Sequence, residues 1–173
     1  NKTNKITPTE FDIWMRVLHK VDKSVLWLLV DNVHTKKNLQ MEAAKRDIDP
    51  NRIIFASKVE NSAHLARQKH ADLFVDTFNY NAHTTASDAL WAGLPVLTMQ
   101  GKGFAARVAS SLLNAAEMPE LIARSPLEYE QKMLQLATKP SMLKQIKEKI
   151  QINRLKMPLF DAQAYTEHLE WGY

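Results

Sequence analysis

The stretch Asn81-Ala82-His83-Thr84-Thr85-Ala86-Ser87-Asp88-Ala89-Leu90-Trp91-Ala92-Gly93-Leu94-Pro95 decides how this chain is read. An apolar run ending in an acid, Leu73-Phe74-Val75-Asp76, lies before it, and a second, Val96-Leu97-Thr98-Met99, follows. Two buried-strand patterns around a helical stretch predict a strand–turn–helix–strand unit of a parallel sheet. The helix would carry His83, Thr84 and Thr85 in its first turn. The N–H groups of that turn have no acceptor within the helix, and the helix dipole is positive there, so the turn suits a phosphate. Asp88 comes one helical turn after Thr84 on the same face. Leu90 and Trp91 are expected to bury the opposite face. The plainer alternative is that the Thr and Asn side chains only cap the helix.

Strand and helix patterns alternate on both sides of this unit. Thr7-Pro8-Thr9-Glu10 has the form of a capping box with Pro at the first helical position, and Phe11, Trp14, Val17 and Leu18 then recur at helical spacing. Val25 to Val30 is a continuous apolar run, read as a strand covered on both faces. Thr35 to Arg46 reads as a helix, Arg52 to Phe55 as a strand, and Ser62 to His70 as a helix. A helix from about Phe104 to Asn114 and a weak strand near Leu121-Ile122 follow the second apolar run. From about Pro126 the pattern is helical: Leu127 to Ala137, Ser141 to Ile152 and Ala162 to Leu169, broken between Leu155 and Asp161 where Pro158 falls. The expected fold is α/β, a Rossmann-like parallel sheet with helices on both faces and a helical C-terminal tail. The expected organisation is a single lobe over residues 1–173, with an α/β core over about 1–125 and the tail over about 126–173.

Ligands in open parallel sheets bind beyond the carboxyl ends of the strands. Candidate residues collect at those ends. Ala56 to Ala63 leads from a strand to His64 and Arg67, which share a helical face that would equally suit a solvated surface pair. Gln100-Gly101-Lys102-Gly103 follows a third strand, and its glycines would let backbone approach a ligand or simply form a flexible turn. Asp47-Ile48-Asp49 has the form of a metal-chelating acidic pair. It lies at a helix end before Pro50 without a His or a third carboxylate, and reads better as a solvated turn. His19, His34, His70 and His168 lack ligand spacing, so no metal site is expected.

Composition narrows the classes. The chain has 173 residues, 45% of them hydrophobic, which suffices for one real core. It contains no Cys, which excludes disulfides and thiolate metal sites and fits a reducing, cytoplasmic setting. No apolar run approaches the roughly 20 residues of a membrane span. Asn1 in place of an initiator Met makes the chain read as a piece of a longer protein. The net charge of +4 suits an anionic ligand. Lys36-Lys37 and the Lys144 to Lys149 stretch read as solvated helix faces without interleaved aromatics, so nucleic acid is not an expected partner.

The run from Asn81 to Pro95 resembles the signature of the O-linked N-acetylglucosamine transferase and SPINDLY family, glycosyltransferase family 41. Ser24 to Leu29, Asn51 to Phe55, Asp76-Thr77, Arg107-Val108-Ala109 and Pro158-Leu159-Phe160 resemble further blocks of that family in order, so the resemblance covers nearly the whole chain. It implies the C-terminal, nucleotide-sugar-binding lobe of a GT-B enzyme, whose first lobe and tetratricopeptide repeats lie elsewhere in a parent chain. It also implies inverting, metal-independent transfer of a sugar, N-acetylglucosamine above others, from a nucleotide diphosphate to a protein acceptor.

By matching position, Lys5 would be catalytic, contacting the departing diphosphate. His83, Thr84 and Thr85 would bind that diphosphate, Asp88 would take the ribose, and His64, Arg67 and Lys58 would help hold the nucleotide. Lys2, Lys58, Asn61 and Ala82 depart from the animal enzymes' pattern, which concerns base contacts and donor identity more than the phosphate site. The readings from other classes are a Rossmann-like nucleotide-binding module without catalysis and a protein-interaction domain. Nucleotide binding together with sugar transfer in the parent distinguishes the first reading from both.

Overall fold

The computed structural model describes residues 2–30 and 32–172. A short 3-10 turn, Thr3–Lys5, leads into α1, Pro8–Lys20. The capping box forms there: the Thr7 N–H donates to Glu10 Oε1 at 2.8 Å, and Pro8 fills a position that needs no N–H. Strands and helices then alternate as β1 (Leu26–Leu29), α2 (Val33–Ala44), β2 (Ile53–Ala56), α3 (Asn61–Arg67), β3 (Phe74–Val75), α4 (Thr84–Trp91), β4 (Val96–Met99), α5 (Val108–Ala115) and β5 (Ile122–Ala123). Three helices close the chain: α6 (Pro126–Thr138), α7 (Pro140–Asn153) and α8 (Ala162–Trp171).

Each strand pairing is parallel: β1 with β2, β3 with β4, and β4 with β5. The fold is therefore the Rossmann-like α/β arrangement expected from the alternating pattern. Its hydrogen-bonded sheet is in two pieces, β1-β2 and β3-β4-β5, a division that the apolar runs did not signal.

The core has two parts, one on each side of the strands. The first gathers Phe11, Trp14 and Val17 of α1 with Leu26 and Leu28 of β1, Leu97 of β4 and Tyr129 of α6. The second gathers Ala86 and Leu90 of α4, Val96 of β4, Leu113 of α5 and Ile150 of α7. Consecutive residues Val96 and Leu97 enter opposite cores because side chains alternate across a strand. This is why the run is apolar without a break. A buried polar chain ties the first core to the end of β3. Trp14 Nε1 donates to the Tyr129 hydroxyl at 3.2 Å, and that hydroxyl donates to the Asp76 carbonyl at 3.0 Å. Helix α6 is thus built into the core, whereas α8 buries none of its residues.

Helix α4 stops where the sequence places Gly93. That residue has φ of +84°, and the Leu94 N–H reaches back to the Ala89 carbonyl at 2.8 Å, closing the turn before Pro95. Leu90 is fully buried, as expected, but Trp91 is not: it is 40% exposed. Its ring meets Phe160 edge-on at 5.1 Å and lies 5.0 Å from the Arg154 guanidinium. At position 91 the helix has turned past the core-facing stripe, so the indole covers the 3-10 turn Pro158–Phe160 instead. The helix expected from Phe104 opens as a 3-10 turn, Phe104–Ala106, and becomes α-helical at Val108.

Candidate functional site

The site is built on the junction between β3 and α4. Asp76, directly after β3, is fully buried. Its Oδ1 accepts from the Thr77 N–H at 2.9 Å and the Ala82 N–H at 2.7 Å, and its Oδ2 accepts from the Thr98 hydroxyl at 2.7 Å. One carboxyl thereby fixes both ends of the turn and ties it to β4. Inside the turn, the Thr77 hydroxyl donates to the Tyr80 carbonyl at 2.7 Å, and Asn81 Nδ2 donates to the Thr77 carbonyl at 2.8 Å. The Asn81 N–H donates to the Ala105 carbonyl at 2.8 Å. These bonds hold the backbone that launches α4.

The residue at the helix entry is His83, whose side chain makes no capping bond. Helices α2, α6 and α8 differ, since Asn32, Ser125 and Asp161 cap them. The first backbone bond of α4 runs from the Ala86 N–H to the His83 carbonyl at 2.9 Å, so the N–H groups of Thr84 and Thr85 precede the helical ladder. Both threonines are exposed. Helices α3, α5 and α7 likewise have no side-chain cap bond, so the open first turn of α4 is a feature it shares with them.

Lys5 arrives at this junction from a position far away in sequence. Its Nζ donates to the Asn81 carbonyl at 3.1 Å and lies 3.9 Å from the centre of the Tyr80 ring. The Tyr80 ring stacks on His83 at 4.8 Å with an interplanar angle of 20°, and His83 meets Phe104 edge-on at 6.3 Å. Burial pushes the Lys5 ammonium below its usual value; the Asp76 charge opposes this, and Lys2 adds to it. An arriving diphosphate would bring negative charge that favours the ammonium.

A second junction, between β2 and α3, supplies His64 and Arg67. Arg67 donates to His64 Nδ1 from Nε at 3.2 Å and from an Nη at 3.0 Å. A guanidinium only donates, so Nδ1 is an acceptor, and Gln68 Nε2 lies 3.2 Å from the ring's Nε2. Arg67 also donates to the Ser57 carbonyl at 2.8 Å and lies 5.9 Å from the Trp27 ring. Burial, and then the Arg67 charge, push His64 below the usual imidazole value, while Asp88 pulls it back up.

Lys5, His64, Arg67, His83, Thr84 and Thr85 all line one cavity of about 1010 Å³, at its end by the carboxyl ends of β1, β2 and β3. Two expected residues stand apart from that wall. Asp88 flanks His64 through its charge rather than lining the cavity, and Lys58 is exposed on the loop ahead of α3. Gly101 has a different role from ligand approach. A Cβ there would come within 2.5 Å of the Ala106 Cβ, and its N–H donates to the Ala106 carbonyl at 2.8 Å. The glycine serves the chain's own turn.

Asp47 occupies a left-handed turn with φ of +57°, and Asp49 accepts the Asn51 N–H at 2.9 Å as the cap of a 3-10 turn. Among the described residues no group of three His, Cys, Asp or Glu side chains is gathered to hold a metal. No helix among the described residues is long and apolar enough to cross a membrane.

Sequence reading missed two residues of this site. Tyr80 joins Lys5 to His83, and nothing in its neighbours announces a contact across 75 positions of chain. Asp76 had a signal, an acid at the carboxyl end of an apolar strand, but the turn that folds the Ala82 N–H back onto it and the Thr98 hydroxyl that reaches it from β4 are set only by the fold.

Comparison with known proteins places the chain in a family. The chain is 35% identical over 170 residues to a UDP-N-acetylglucosamine–peptide N-acetylglucosaminyltransferase of Caenorhabditis elegans, covering 98% of the chain and 15% of that protein. It is 34% identical, over its whole length, to a probable transferase of the same kind, SEC, of Arabidopsis thaliana, covering 18% of that protein. The chain thus spans less than a fifth of the length of these relatives. A mutant O-GlcNAc transferase from Thermobaculum terrenum superposes with a TM-score of 0.91 at 28% identity, over 100% of this chain and 34% of the other. The model of one family, glycosyl transferase family 41, matches residues 1–169, and the chain belongs to that family.

Proposed function

We propose that this chain is the donor-binding half of an inverting, metal-independent glycosyltransferase. It would hold a nucleoside diphosphate sugar, by analogy with the relatives' names UDP-N-acetylglucosamine, while a protein acceptor attacks the sugar. The observation that carries this reading is the convergence of the Lys5 ammonium, the Tyr80–His83 stack and the uncapped first turn of α4 at one end of one cavity. In the reaction, the bond between the anomeric carbon and the β-phosphate oxygen breaks as the acceptor hydroxyl oxygen bonds to the opposite face, and the hydroxyl's proton passes to the departing diphosphate or to solvent. Negative charge then grows on the diphosphate. The Thr84 and Thr85 N–H groups and hydroxyls, with Lys5, offer fixed donors where that charge develops, and such preorganised donors lower the barrier. Asp88 is assigned to the ribose hydroxyls, and His64 and Arg67, with Lys58 on the adjacent loop, to the rest of the nucleotide. The acceptor and the opposite wall would come from another lobe of a longer polypeptide, so the isolated chain should hold the donor without transferring sugar. Orientation of the nucleophile supplies much of the acceleration in such reactions.

Calorimetric titration of the chain with uridine and guanosine diphosphates, with and without chelator, tests the reading. Binding of one nucleotide that survives chelator is the expected result. A strict need for magnesium or manganese would overturn metal independence, and failure of both nucleotides to bind would overturn the donor assignment.

A further inference from the structure

Asp76 fixes the backbone of the β3–α4 turn, but the side chains that meet the proposed diphosphate need holding of their own. Lys5 carries its ammonium on a flexible four-carbon stem, tied down by one hydrogen bond, to the Asn81 carbonyl at 3.1 Å. His83 is held more loosely still. It makes no capping bond, and its Nε2 stands 3.4 Å from the Ala105 carbonyl. What the two share is the Tyr80 ring, which lines the cavity with them. The centre of that ring is 3.9 Å from Lys5 Nζ and 4.8 Å from the centre of the His83 ring, which is tilted 20° from parallel.

Tyr80 is placed unlike its neighbours. Asp76, Thr77 and Phe78 before it and Asn81 and Ala82 after it are buried, whereas Tyr80 is 45% exposed. The buried residues fix its backbone: the Thr77 hydroxyl donates to the Tyr80 carbonyl at 2.7 Å, and Asn81 is tied to the Thr77 and Ala105 carbonyls. The aromatic of this turn that packs inward is Phe78, edge-on to Tyr129 at 4.9 Å. Among the described residues the Tyr80 hydroxyl has no hydrogen-bond partner. A half-exposed ring on a fixed backbone thus serves neither the core nor a hydroxyl contact. What it touches is Lys5 and His83.

We propose that Tyr80 is a positioning residue for sugar transfer: its ring holds the Lys5 ammonium and the His83 imidazole where the donor's diphosphate would meet them. The inference rests on the donor-binding reading given above. An electron-rich ring face attracts an ammonium without taking up its N–H donors. Lys5 therefore keeps donors for phosphate oxygens while its charge is held in one place. A carboxylate in the same position would neutralise that charge and compete with the phosphate. Stacking likewise sets the plane of the imidazole without occupying its ring nitrogens. Groups placed in advance leave less reorganisation for the moment when the diphosphate departs, so the benefit falls on turnover more than on donor affinity.

Steady-state transfer from radiolabelled UDP-N-acetylglucosamine by the longer polypeptide, with calorimetry of uridine diphosphate, tests the proposal. Tyr80→Leu should lower kcat by about tenfold, the size that one cation–π contact supports, and change the Kd of uridine diphosphate by less than about threefold. Retained nucleotide binding also shows that the variant has folded. Tyr80→Phe, which restores the ring without its hydroxyl, should recover most of the lost turnover. Because the ring acts through Lys5, Tyr80→Leu should lose most of its effect in a Lys5→Ala background. Unchanged kcat in Tyr80→Leu, a Tyr80→Phe variant as impaired as Tyr80→Leu, or a loss that persists in full without Lys5 would each overturn the proposal. Tighter binding of uridine diphosphate by Tyr80→Leu would also overturn it, by making the ring a competitor for the diphosphate's place. Failure of the unsubstituted polypeptide to bind uridine diphosphate would instead overturn the uridine donor assignment, and this inference with it.

Discussion

At the β3–α4 junction a buried carboxyl collects the Thr77 and Ala82 amides and the Thr98 hydroxyl, and Asn81 is wholly enclosed. At the β2–α3 junction residues 57–63 are exposed, and the Arg67–Ser57 bond ties the loop back to its helix. Both join the carboxyl end of a parallel strand to the start of a helix, but one is fixed by the core and the other by its own surface side chains. The difference suits a division of labour. The diphosphate proposed to sit at the fixed junction would reward rigid donors, since reorganisation during reaction weakens them. Base recognition varies with the donor, and loops tolerate variation because little packs on them. Of the positions where the chain departs from the animal pattern, 58 and 61 fall on the β2–α3 junction and Ala82, beside His83 to Thr85, falls on the fixed one.

If the fixed junction carries the chemistry, the largest effect should come from removing the charge docked on it. In the longer polypeptide, Lys5→Ala should lower turnover by about 10²–10³, with a smaller change in donor affinity, because the ammonium matters most once the diphosphate is departing. A radiolabelled-donor assay reads both quantities. Unchanged turnover would remove Lys5 from the mechanism, and an equal loss in affinity would make it a simple binding residue.

The junction's rigidity has its own test. Asp76→Ala leaves the buried Thr77 and Ala82 amides and the buried Thr98 hydroxyl without this acceptor. Bonds to a charged group are worth about 1.5–3 kcal/mol each, although their losses overlap. A loss of about 3 kcal/mol, roughly 6–12 °C in Tm, is expected for a chain of this size. Cutting the loop ahead of α3 down to alanines at Lys58 and Glu60 should leave Tm within about 1 °C, as surface changes usually do. Similar losses for the two variants would erase the contrast between the junctions.

Much of this was legible in the sequence, and the physical reasons are specific. The strands announce themselves because burial on both faces leaves runs such as Val96 to Met99 nowhere to be polar. The end of α4 is legible because only glycine takes φ of +84° without strain. Thr84 and Thr85 are legible because helix starts have a chemistry of their own. Lys5 is different: without the family resemblance it is a lysine near a terminus, and its dock on Asn81 and Tyr80 exists only in three dimensions. Asp76 reads as the last residue of a strand until its donors are seen. The split in the sheet is invisible because an unpaired strand edge has the same side chains as a paired one.

Asp88 stands between the junctions, on α4 but coupled by charge to His64 on α3. With Asp88 assigned to the ribose, Asp88→Ala should weaken nucleotide binding by about 1.5–3 kcal/mol and leave inorganic pyrophosphate binding nearly unchanged. Calorimetry with both ligands decides it. Equal losses would move Asp88 to the diphosphate, and a collapse in Tm would make it structural.

The smallest effect sharpens the comparison most, because it reads the coupling between the junctions directly. His64 is neutral in its resting arrangement, with Nδ1 accepting from Arg67, and burial and the Arg67 charge hold its pKa below the usual imidazole value. The sign follows from that direction. A depressed folded-state pKa means that the neutral ring favours the folded arrangement. This contribution is complete above the unfolded value of about 6.5 and is lost as pH falls through the lower folded value. Below that, an imidazolium faces the Arg67 guanidinium, and the contact that ties α3 to its loop should open while the β3–α4 junction, closed by Asp76, stays as it is. Imidazole proton shifts followed by NMR from pH 8 to pH 4 should therefore show His64 titrating below the free imidazole value. Asp88 raises the His64 value, so Asp88→Asn should lower it further; Arg67→Gln should raise it toward the free value. Indifference of the His64 titration to Asp88→Asn would show that the two junctions do not sense each other, and the shared nucleotide site across them would lose its electrostatic link.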